Sequence, residues 1–196
     1  QEPDLIEWRA DFLTEISDGE LVLDLVQKMK AKTDIPLLFT IRAEHEGGEK
    51  ISLTKEEKVE LISDVCKETD IDFVDFETSN EEKYIKKLRE VSKGNNKQLI
   101  LSYHNFSETP DNEEFVKRAK KADLFGADIV KLAVMPNSKE DVHRLLELTK
   151  IIDDMFDVPV VTMSMGHIGG LSRIIGWAYG SIITFGVGVE LSAPGQ

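Results

Sequence analysis

The chain has 196 residues, 41% of them hydrophobic, and its 37 acidic and 24 basic side chains give a formal charge of −13 at pH 7. This balance argues against nucleic acid and anionic membranes as partners, because both are bound through Lys and Arg. No apolar run approaches the roughly 20 residues that span a bilayer, and a single cysteine, Cys66, excludes an internal disulfide. We therefore expect a protein of the reducing cytoplasm.

Short apolar runs rich in β-branched residues recur along the chain and are predicted to be strands. They alternate with charged stretches whose apolar residues recur at three- and four-residue steps, which is typical of amphipathic helices. In chain order, strands are predicted at residues 4–9, 36–42, 71–77, 98–105, 128–135, 158–165 and 181–187. Helices are predicted at 19–32, 55–68, 81–93, 113–125 and 139–155, with Thr54 and Ser138 as N-caps.

Strict alternation of strands and helices indicates parallel strands joined by helical crossovers. Strand runs that are apolar throughout fit a sheet that is covered by helices or closed on itself. We therefore predict an α/β fold, with residues 1–196 as a single (β/α)8 TIM barrel domain. A complete barrel has eight strands and typically about 250 residues, so the first strand and the last helix are expected to be lacking here.

Polar side chains stand at the carboxyl ends of the predicted strands, where TIM barrels carry their active sites. Residues two apart share one face of a strand. Glu7 therefore shares a face with Arg9, and Ser102 shares a face with His104. The strand-end set is Glu7, Arg9, Arg42, Glu77, His104 and Lys131.

Lys131 is the most informative member of this set, because it interrupts an apolar strand. Lysine is rarely buried unless it is paired or functional, and loss of water favours the neutral amine that attacks carbonyl groups. The alternative is a lysine that extends from an edge strand into water. His104 closes the preceding strand, so in a barrel it neighbours Lys131, and imidazole suits proton removal and return near neutral pH.

Two loops add further candidates. In the charged loop 42–49 we interpret Glu44 and Glu49 as solvated, whereas His45 is an alternative catalytic candidate. The glycine-rich segment 166–173 suits a carboxylate or phosphate, with its arginine as a guanidinium fork. Neither a metal-ligand spacing nor a Rossmann or Walker glycine pattern occurs. An amine, an imidazole, guanidinium groups and carboxylates together favour an anionic, polyhydroxylated carbonyl substrate and chemistry through an iminium.

Six segments in the same order resemble the signature segments of type I 3-dehydroquinate dehydratases, also called 3-dehydroquinases. The resemblance runs from one end of the chain to the other. The segments are Glu-Trp-Arg-Ala-Asp (7–11), Phe-Thr-Ile-Arg (39–42) with Glu-Gly-Gly-Glu (46–49), Ser-Tyr-His-Asn-Phe (102–106), Val-Lys-Leu-Ala-Val-Met-Pro (130–136), Met-Ser-Met-Gly (163–166) and Ser-Ala-Pro-Gly-Gln (192–196).

The resemblance implies a lyase that dehydrates 3-dehydroquinate to 3-dehydroshikimate in the shikimate pathway of aromatic amino acid biosynthesis. It implies that Lys131 forms a Schiff base with the ring ketone, that His104 acts as general acid and base, and that Glu46 orients and tunes the histidine. No cofactor is implied, and family members are commonly homodimers. The implied substrate-binding residues are Glu7, Arg9 and Arg42 for the ring hydroxyls, and Arg173, Ser192 and Gln196 for the carboxylate and the lid loop.

Two alternatives stay open on the sequence. One is another Schiff-base barrel lyase, such as an aldolase of a sugar phosphate, which would use the same lysine and bind phosphate at the glycine-rich loop. The other is a truncated barrel that binds a ligand without turnover.

Overall fold

The computed structural model describes residues 2–186. Contacts group the chain into two compact units, Gln1–Ile100 and Leu101–Gln196. The described strands number six, and each neighbours the next along the chain in sheet order. Six α-helices alternate with these strands over the same residues. The predicted α/β class, with strands in sequential order, is therefore confirmed.

The strands lie within the predicted runs and are mostly shorter. They are β1 (Ile6–Arg9), β2 (Leu37–Thr40), β3 (Phe73–Glu77), β4 (Gln98–Asn105), β5 (Ile129–Val134) and β6 (Val160–Ser164). The strand predicted at 181–187 is wrong for residues 182–186, which form no strand. Ser181 alone makes a parallel bridge, to Val160. The apolar, β-branched composition of the predicted run suits a strand. A strand also needs a neighbouring strand with which it forms a ladder of backbone hydrogen bonds, and composition alone does not provide that neighbour.

The helices also follow the prediction, with shifts of one or two residues at five ends. The structure adds a short helix after β6 that was not predicted, in the glycine-rich segment. None of the helices described is long and apolar enough to cross a membrane. The bounds are α1 (Gly19–Lys30), α2 (Lys55–Glu68), α3 (Glu82–Gly94), α4 (Asn112–Leu124), α5 (Lys139–Met155) and α6 (Gly170–Ile175).

In the first unit, the parallel registers bring the carboxyl ends of β1, β2 and β3 to one level. Arg9 lies beside Thr40, and Thr40 lies beside Asp75. Every residue of β2 is buried, which explains why this strand reads as a continuous apolar run. Polar side chains just beyond these ends are therefore held close together by the sheet.

Helix α2 begins at the predicted cap. The Thr54 hydroxyl accepts from the backbone N–H of Glu57, and the Glu57 carboxylate accepts from the backbone N–H of Thr54. This capping box satisfies two groups that helical bonds leave open at the first turn. The buried face of α2 includes Ile62, Val65 and, unusually, the charged Lys58.

In the second unit, β5 and β6 pair in parallel, with Lys131 beside Val161. Both strands are buried along their whole length. Helix α5 begins at the second predicted cap, Ser138, and again forms a capping box. The hydroxyls of Thr149 and Thr162 lie 2.6 Å apart and join α5 to β6 inside the core.

Candidate active site

The first unit holds a buried polar cluster at the ends of β1 and β2. Glu7, in β1, accepts a hydrogen bond of 2.8 Å from the hydroxyl of Thr40, the last residue of β2. Both side chains therefore lie on one face of the sheet, and the bond fixes the Glu7 carboxylate at the strand ends. This is the position that the alternation of side chains along a strand predicts for a polar residue in β1.

Asp11, in the short 3-10 helix that follows β1, ties this region together. Its carboxylate accepts from Arg9 Nε at 2.8 Å and Arg9 Nη2 at 2.7 Å, and from the backbone N–H groups of Arg42 and Glu49, both at 3.1 Å. Burial alone would raise the pKa of Asp11. The Arg9 bonds and charge and the two N–H groups outweigh burial, so that pKa lies below its ordinary value.

Arg42 is buried at the end of β2, and only 2% of its surface is exposed. Its guanidinium lies 2.8 Å from the Asp75 carboxylate and 3.1 Å from that of Glu77. Burial alone would lower the pKa of Arg42, but the charges of Asp75 and Glu77, with a contribution from Glu46, raise it. The guanidinium is therefore a permanent cation held in a fixed orientation.

The Glu77 carboxylate, at the end of β3, accepts from three separate segments. Oε1 accepts from Arg42 Nη1 and, at 2.8 Å, from the backbone N–H of Ala43. Oε2 accepts at 3.0 Å from both Lys58 Nζ and Asn80 Nδ2. Burial alone would raise the pKa of Glu77, but Lys58, Arg42 and the Ala43 N–H outweigh burial and the neighbouring Asp75 charge and lower it.

Glu46 is buried, although it lies in a charged loop. It ends a one-turn 3-10 helix, and its Oε1 accepts from the Ser79 hydroxyl at 2.5 Å. The neighbouring His45 is 67% exposed, with its Nε2 3.4 Å from the Ser79 Oγ and 3.8 Å from Glu46 Oε1. The structure thus separates the two loop candidates: Glu46 points inward and His45 lies at the surface.

Gly47 and Gly48 shape the turn that carries Glu46. Gly47 has a φ of 83°, a left-handed backbone conformation that residues other than glycine rarely adopt. A Cβ on Gly48 would lie 2.0 Å from the backbone oxygen of Arg42. The loop can therefore fold back onto the end of β2 only because this position has no side chain.

In the second unit, Lys131 lies in the middle of β5 and only 4% of its surface is exposed. Its Nζ is 4.4 Å from the centroid of the Phe185 ring. The side chain therefore turns inward, against an aromatic face, and the alternative of a lysine that extends into water is wrong.

His104 is half-buried near the end of β4, which neighbours β5 in the sheet. The backbone N–H of Met135 donates to the carbonyl of Asn105 at 2.8 Å. In a parallel ladder this bond aligns Asn105 with Val134, and counting back aligns His104 with Ala133. The imidazole thus lies two residues beyond the level of Lys131, toward the carboxyl ends of the strands.

Arg173 lies in α6 and donates from Nη1 to the carbonyl of Phe185 at 3.0 Å. Burial lowers the pKa of its guanidinium, which still remains charged at neutral pH. This bond places the predicted carboxylate ligand beside the residue whose ring covers Lys131. The other two predicted ligands, Ser192 and Gln196, lie outside the described residues.

Several residues around these side chains, most of them polar, were not among the predicted site residues. For Lys58 the sequence does contain a weak signal, because it is spaced four and seven residues from Ile62 and Val65 and so lies on an apolar helix face. The pairing of residues that are far apart in the sequence leaves no such local pattern. Over residues 2–186 no cluster of three or more His, Cys, Asp or Glu side chains is placed to hold a metal ion. The residues missed are Asp11, Thr40, Lys58, Asp75, Ser79 and Phe185.

Comparison with known proteins gives concordant matches. A family model for Type I 3-dehydroquinase matches residues 1–196. The 3-dehydroquinate dehydratase of Geobacillus sp. (strain WCH70) is 47% identical over 99% of this chain and 75% of its own length. That of Albidiferax ferrireducens is 45% identical over 100% of this chain and 75% of its own length.

Solved structures agree with these relatives. The crystal structure of 3-dehydroquinate dehydratase from Geobacillus kaustophilus HTA426 has a TM-score of 0.97 and 42% identity, covering 100% of this chain and 76% of that one. The type I 3-dehydroquinate dehydratase from Clostridium difficile has a TM-score of 0.94 and 36% identity, covering 98% and 76%. From the family match along its whole length and from relatives above 40% identity, this chain belongs to the Type I 3-dehydroquinase family.

Proposed function

We propose that this chain dehydrates 3-dehydroquinate to 3-dehydroshikimate, in the shikimate pathway, through a Schiff base on Lys131. The observation that carries the proposal is the burial of Lys131 inside an apolar strand, with its amine against the Phe185 ring. Few structural reasons keep a lysine there. Membership of the Type I 3-dehydroquinase family supplies the substrate that suits such an amine.

In the first step, the neutral Lys131 Nζ attacks the ring ketone, and loss of water from the carbinolamine gives the imine. Its protonated form draws electrons from the neighbouring carbon, which makes the proton on that carbon acidic. Because the lysine supplies the electron sink, the scheme uses no cofactor. The amine that begins the reaction lies in the interior of the strand, 4.4 Å from the centroid of the Phe185 ring.

His104 then moves the protons. As a base it removes the proton beside the imine carbon and leaves an enamine. The enamine electrons form the new carbon–carbon double bond as the hydroxyl leaves, and the imidazolium returns its proton so that the leaving group is water. Hydrolysis of the product imine consumes one water and restores Lys131, so the net change is the loss of one water. Half-burial near the end of β4 suits an imidazole that must reach a substrate.

The remaining predicted residues bind and orient. We assign Glu46 to orient and tune the His104 imidazole, and the fixed polar groups of the first unit to the ring hydroxyls. Hydrogen bonds to Asp11, Thr40, Asp75 and Glu77 hold those groups in place, so little order is lost on binding. The hydroxyl-binding residues are Glu7, Arg9 and Arg42, and the carboxylate-binding residues are Arg173, Ser192 and Gln196.

A relative adds support for covalent chemistry. The crystal structure of the Clostridium difficile enzyme is described with covalent modified comenic acid. A covalent adduct in a type I 3-dehydroquinate dehydratase is what a nucleophilic side chain in the site would allow.

Borohydride trapping tests the proposal. The protein is incubated with 3-dehydroquinate, reduced, and mapped by peptide mass spectrometry. We expect one adduct, on Lys131, and none in Lys131→Ala. Lys150→Ala is the matched control, because that lysine is exposed on α5 and its loss should leave the adduct unchanged. An adduct on another lysine, or none in a folded protein, would refute the assignment.

A second variant separates imine formation from proton transfer. His104→Ala should still give the trapped adduct but turn over roughly 10²–10⁴-fold more slowly, the range for loss of a general acid–base group. Near wild-type turnover in His104→Ala would show that another group moves the proton. Adduct without turnover in the wild-type chain would favour the non-catalytic alternative, and carbon–carbon cleavage without dehydration would favour the aldolase.

We further propose that residues 1–196 fold as one domain belonging to an eight-stranded barrel, in a cytoplasmic homodimer. The sequential strand order and the parallel bridge from Ser181 to Val160, beyond β6, support continuation of the sheet. Sedimentation equilibrium tests the assembly: a mass near 44 kDa, about twice the 22.1 kDa of the chain, is expected. A mass of one chain at micromolar concentration would refute the dimer.

A further inference from the structure

Lys58 lies on the wrong face of its helix for an ordinary lysine. It is in the first turn of α2, it shares the buried face with Ile62 and Val65, and only 7% of its surface is exposed. The other lysines of the helix, Lys55 and Lys67, are exposed. Burying an ammonium costs free energy unless a partner compensates, so this position needs an explanation that helix formation does not give.

The partner is Glu77. Lys58 Nζ lies 3.0 Å from Glu77 Oε2 and 3.4 Å from Oε1, and 5.5 Å from the centroid of the Phe76 ring. Side-chain exposure is 9% for the lysine and 1% for the glutamate. The pair is thus nearly dry, where charges interact strongly and salt screens them little.

The pair continues to Arg42. Glu77 Oε1 accepts from Arg42 Nη1, and the other guanidinium nitrogen, Nη2, lies 2.8 Å from Asp75. The cluster therefore holds two cations, Lys58 and Arg42, and two anions, Asp75 and Glu77. The charges of these four groups balance only while Lys58 is present, and Glu46 adds a further negative charge near Arg42.

We propose that Lys58 is a positioning residue for substrate binding: by holding Glu77 Oε2, it fixes the orientation in which Arg42 meets the substrate. This inference rests on the proposed function, in which Arg42 binds a ring hydroxyl. Without Lys58, Oε2 would keep its bond from Asn80 Nδ2 but lose its ammonium. It would then compete for the guanidinium, because planar carboxylates bind arginine through both oxygens. Arg42 would then turn toward Glu77 and away from the substrate.

Charge balance gives this idea a pH signature. The charged groups around Glu77 are Arg42 from the end of β2, Lys58 from α2, and Asp75 from its own strand; Glu46 adds its charge at Arg42. Loss of Lys58 removes the strongest influence that lowers the pKa of Glu77, so that pKa should be higher in Lys58→Met than in the wild type, with Arg42 and the Ala43 N–H still lowering it. As the pH falls through this raised pKa, Glu77 becomes neutral, Arg42 and Asp75 balance each other, and the defect should diminish.

The test compares Lys58→Met with Lys67→Met, its control on the exposed side of the same helix. We expect kcat/KM for 3-dehydroquinate to fall about 10–100-fold in Lys58→Met, the scale of a misplacement near 1 Å, mainly through a higher KM. The control should match the wild type. The ratio of Lys58→Met to wild-type kcat/KM should rise as the pH is lowered toward the pKa of Glu77 in the variant. A double variant, Lys58→Met with Glu77→Gln, restores neutrality and should recover at least part of the lost activity.

The outcomes are separable. Equal kcat/KM in Lys58→Met and Lys67→Met would overturn the proposal. A loss of kcat/KM that does not depend on pH and persists in the double variant would also overturn it, because a helix weakened by a buried substitution would give that result. If Lys58→Met does not fold, the double variant alone decides: recovery of a folded, active protein supports charge balance, and its failure overturns it.

One readout does not need turnover. NMR of the Glu77 carboxyl carbon and the Arg42 guanidinium, without substrate, should show that Glu77 titrates at a higher pH in Lys58→Met than in the wild type, and that the Arg42 signal is shifted in Lys58→Met. If the wild-type chain does not turn over 3-dehydroquinate, the proposed function fails. The NMR comparison then still decides whether Lys58 holds Arg42, and unchanged spectra would overturn it.

Discussion

Replacing Asp11 by alanine should destabilise the protein more than its short side chain suggests. The carboxylate is buried and accepts four hydrogen bonds, from two nitrogens of Arg9 and from the backbone N–H groups of Arg42 and Glu49. Alanine removes the acceptor and leaves all four donors. The question is which of them can find another partner.

The structure allows a rough estimate of the cost. Arg42 is buried, so its N–H would be left unsatisfied, which costs roughly 1–3 kcal/mol. Arg9 keeps its bond to the carbonyl of Gly47 and has 13% of its side chain exposed, so it can turn toward water and lose only part of its charge-assisted bonds. Glu49 is exposed and its N–H can bond to water. The total is about 3–4 kcal/mol in the free energy of unfolding.

Urea denaturation followed by circular dichroism measures this loss. With an m-value of about 3 kcal/mol/M for a chain of this size, Asp11→Ala should lower the midpoint by about 1 M urea. Asp24→Ala is the control, since Asp24 is exposed and pairs with Lys28 on the surface of α1; we expect less than about 0.5 kcal/mol there. An Asp11→Ala midpoint equal to that of the control would refute the reasoning.

The same site gives a pH test with a defined sign. The pKa of Asp11 in the folded state lies below its ordinary value of 3.8. Its contribution to stability is therefore fully present above pH 3.8 and is lost as the pH falls through the folded-state pKa. The difference in stability between the wild type and Asp11→Asn should be constant near neutrality and shrink below about pH 4. A difference that grows toward acid pH would contradict the assignment.

Three further predictions follow from single positions. Gly48→Ala should destabilise the folded protein by about 1–3 kcal/mol, because its Cβ would lie 2.0 Å from the backbone oxygen of Arg42. Gly94→Ala is the control in the same urea assay, because a Cβ at that position would meet no atom within 4 Å. Cys66 should resist maleimide at pH 8 in the folded protein and react fully in urea, because burial raises the pKa of its thiol to about 12; labelling of the native protein would show that α2 opens. Thr54→Ala should cost about 1 kcal/mol through loss of the capping box of α2, and Thr54→Ser should restore most of it.

Much of the site could be predicted from local patterns in the sequence. A lysine inside an apolar strand and a histidine at the end of the strand before it are visible without coordinates, and both lie where the pattern predicts. Glu46 is a different case. Nothing in its own charged loop distinguishes it from Glu44 or His45, and only the family resemblance selected it. The structure distinguishes Glu46 from these neighbours, because its carboxylate is buried and bonded to Ser79.

The sequence by itself determined most of the elements of this protein, apart from α6 and the absence of a strand at residues 182–186. Hydrophobic period and capping residues act between neighbours in the chain, so the alternation of strands and helices and the caps at Thr54 and Ser138 follow from local physics. The tertiary structure decided which side chains meet. Asp11 bonds to backbone groups 31 and 38 residues away, and Lys58 reaches a carboxylate 19 residues away. Such pairings depend on how strands and helices pack in space, and the energy of each charge depends on how much water that packing removes.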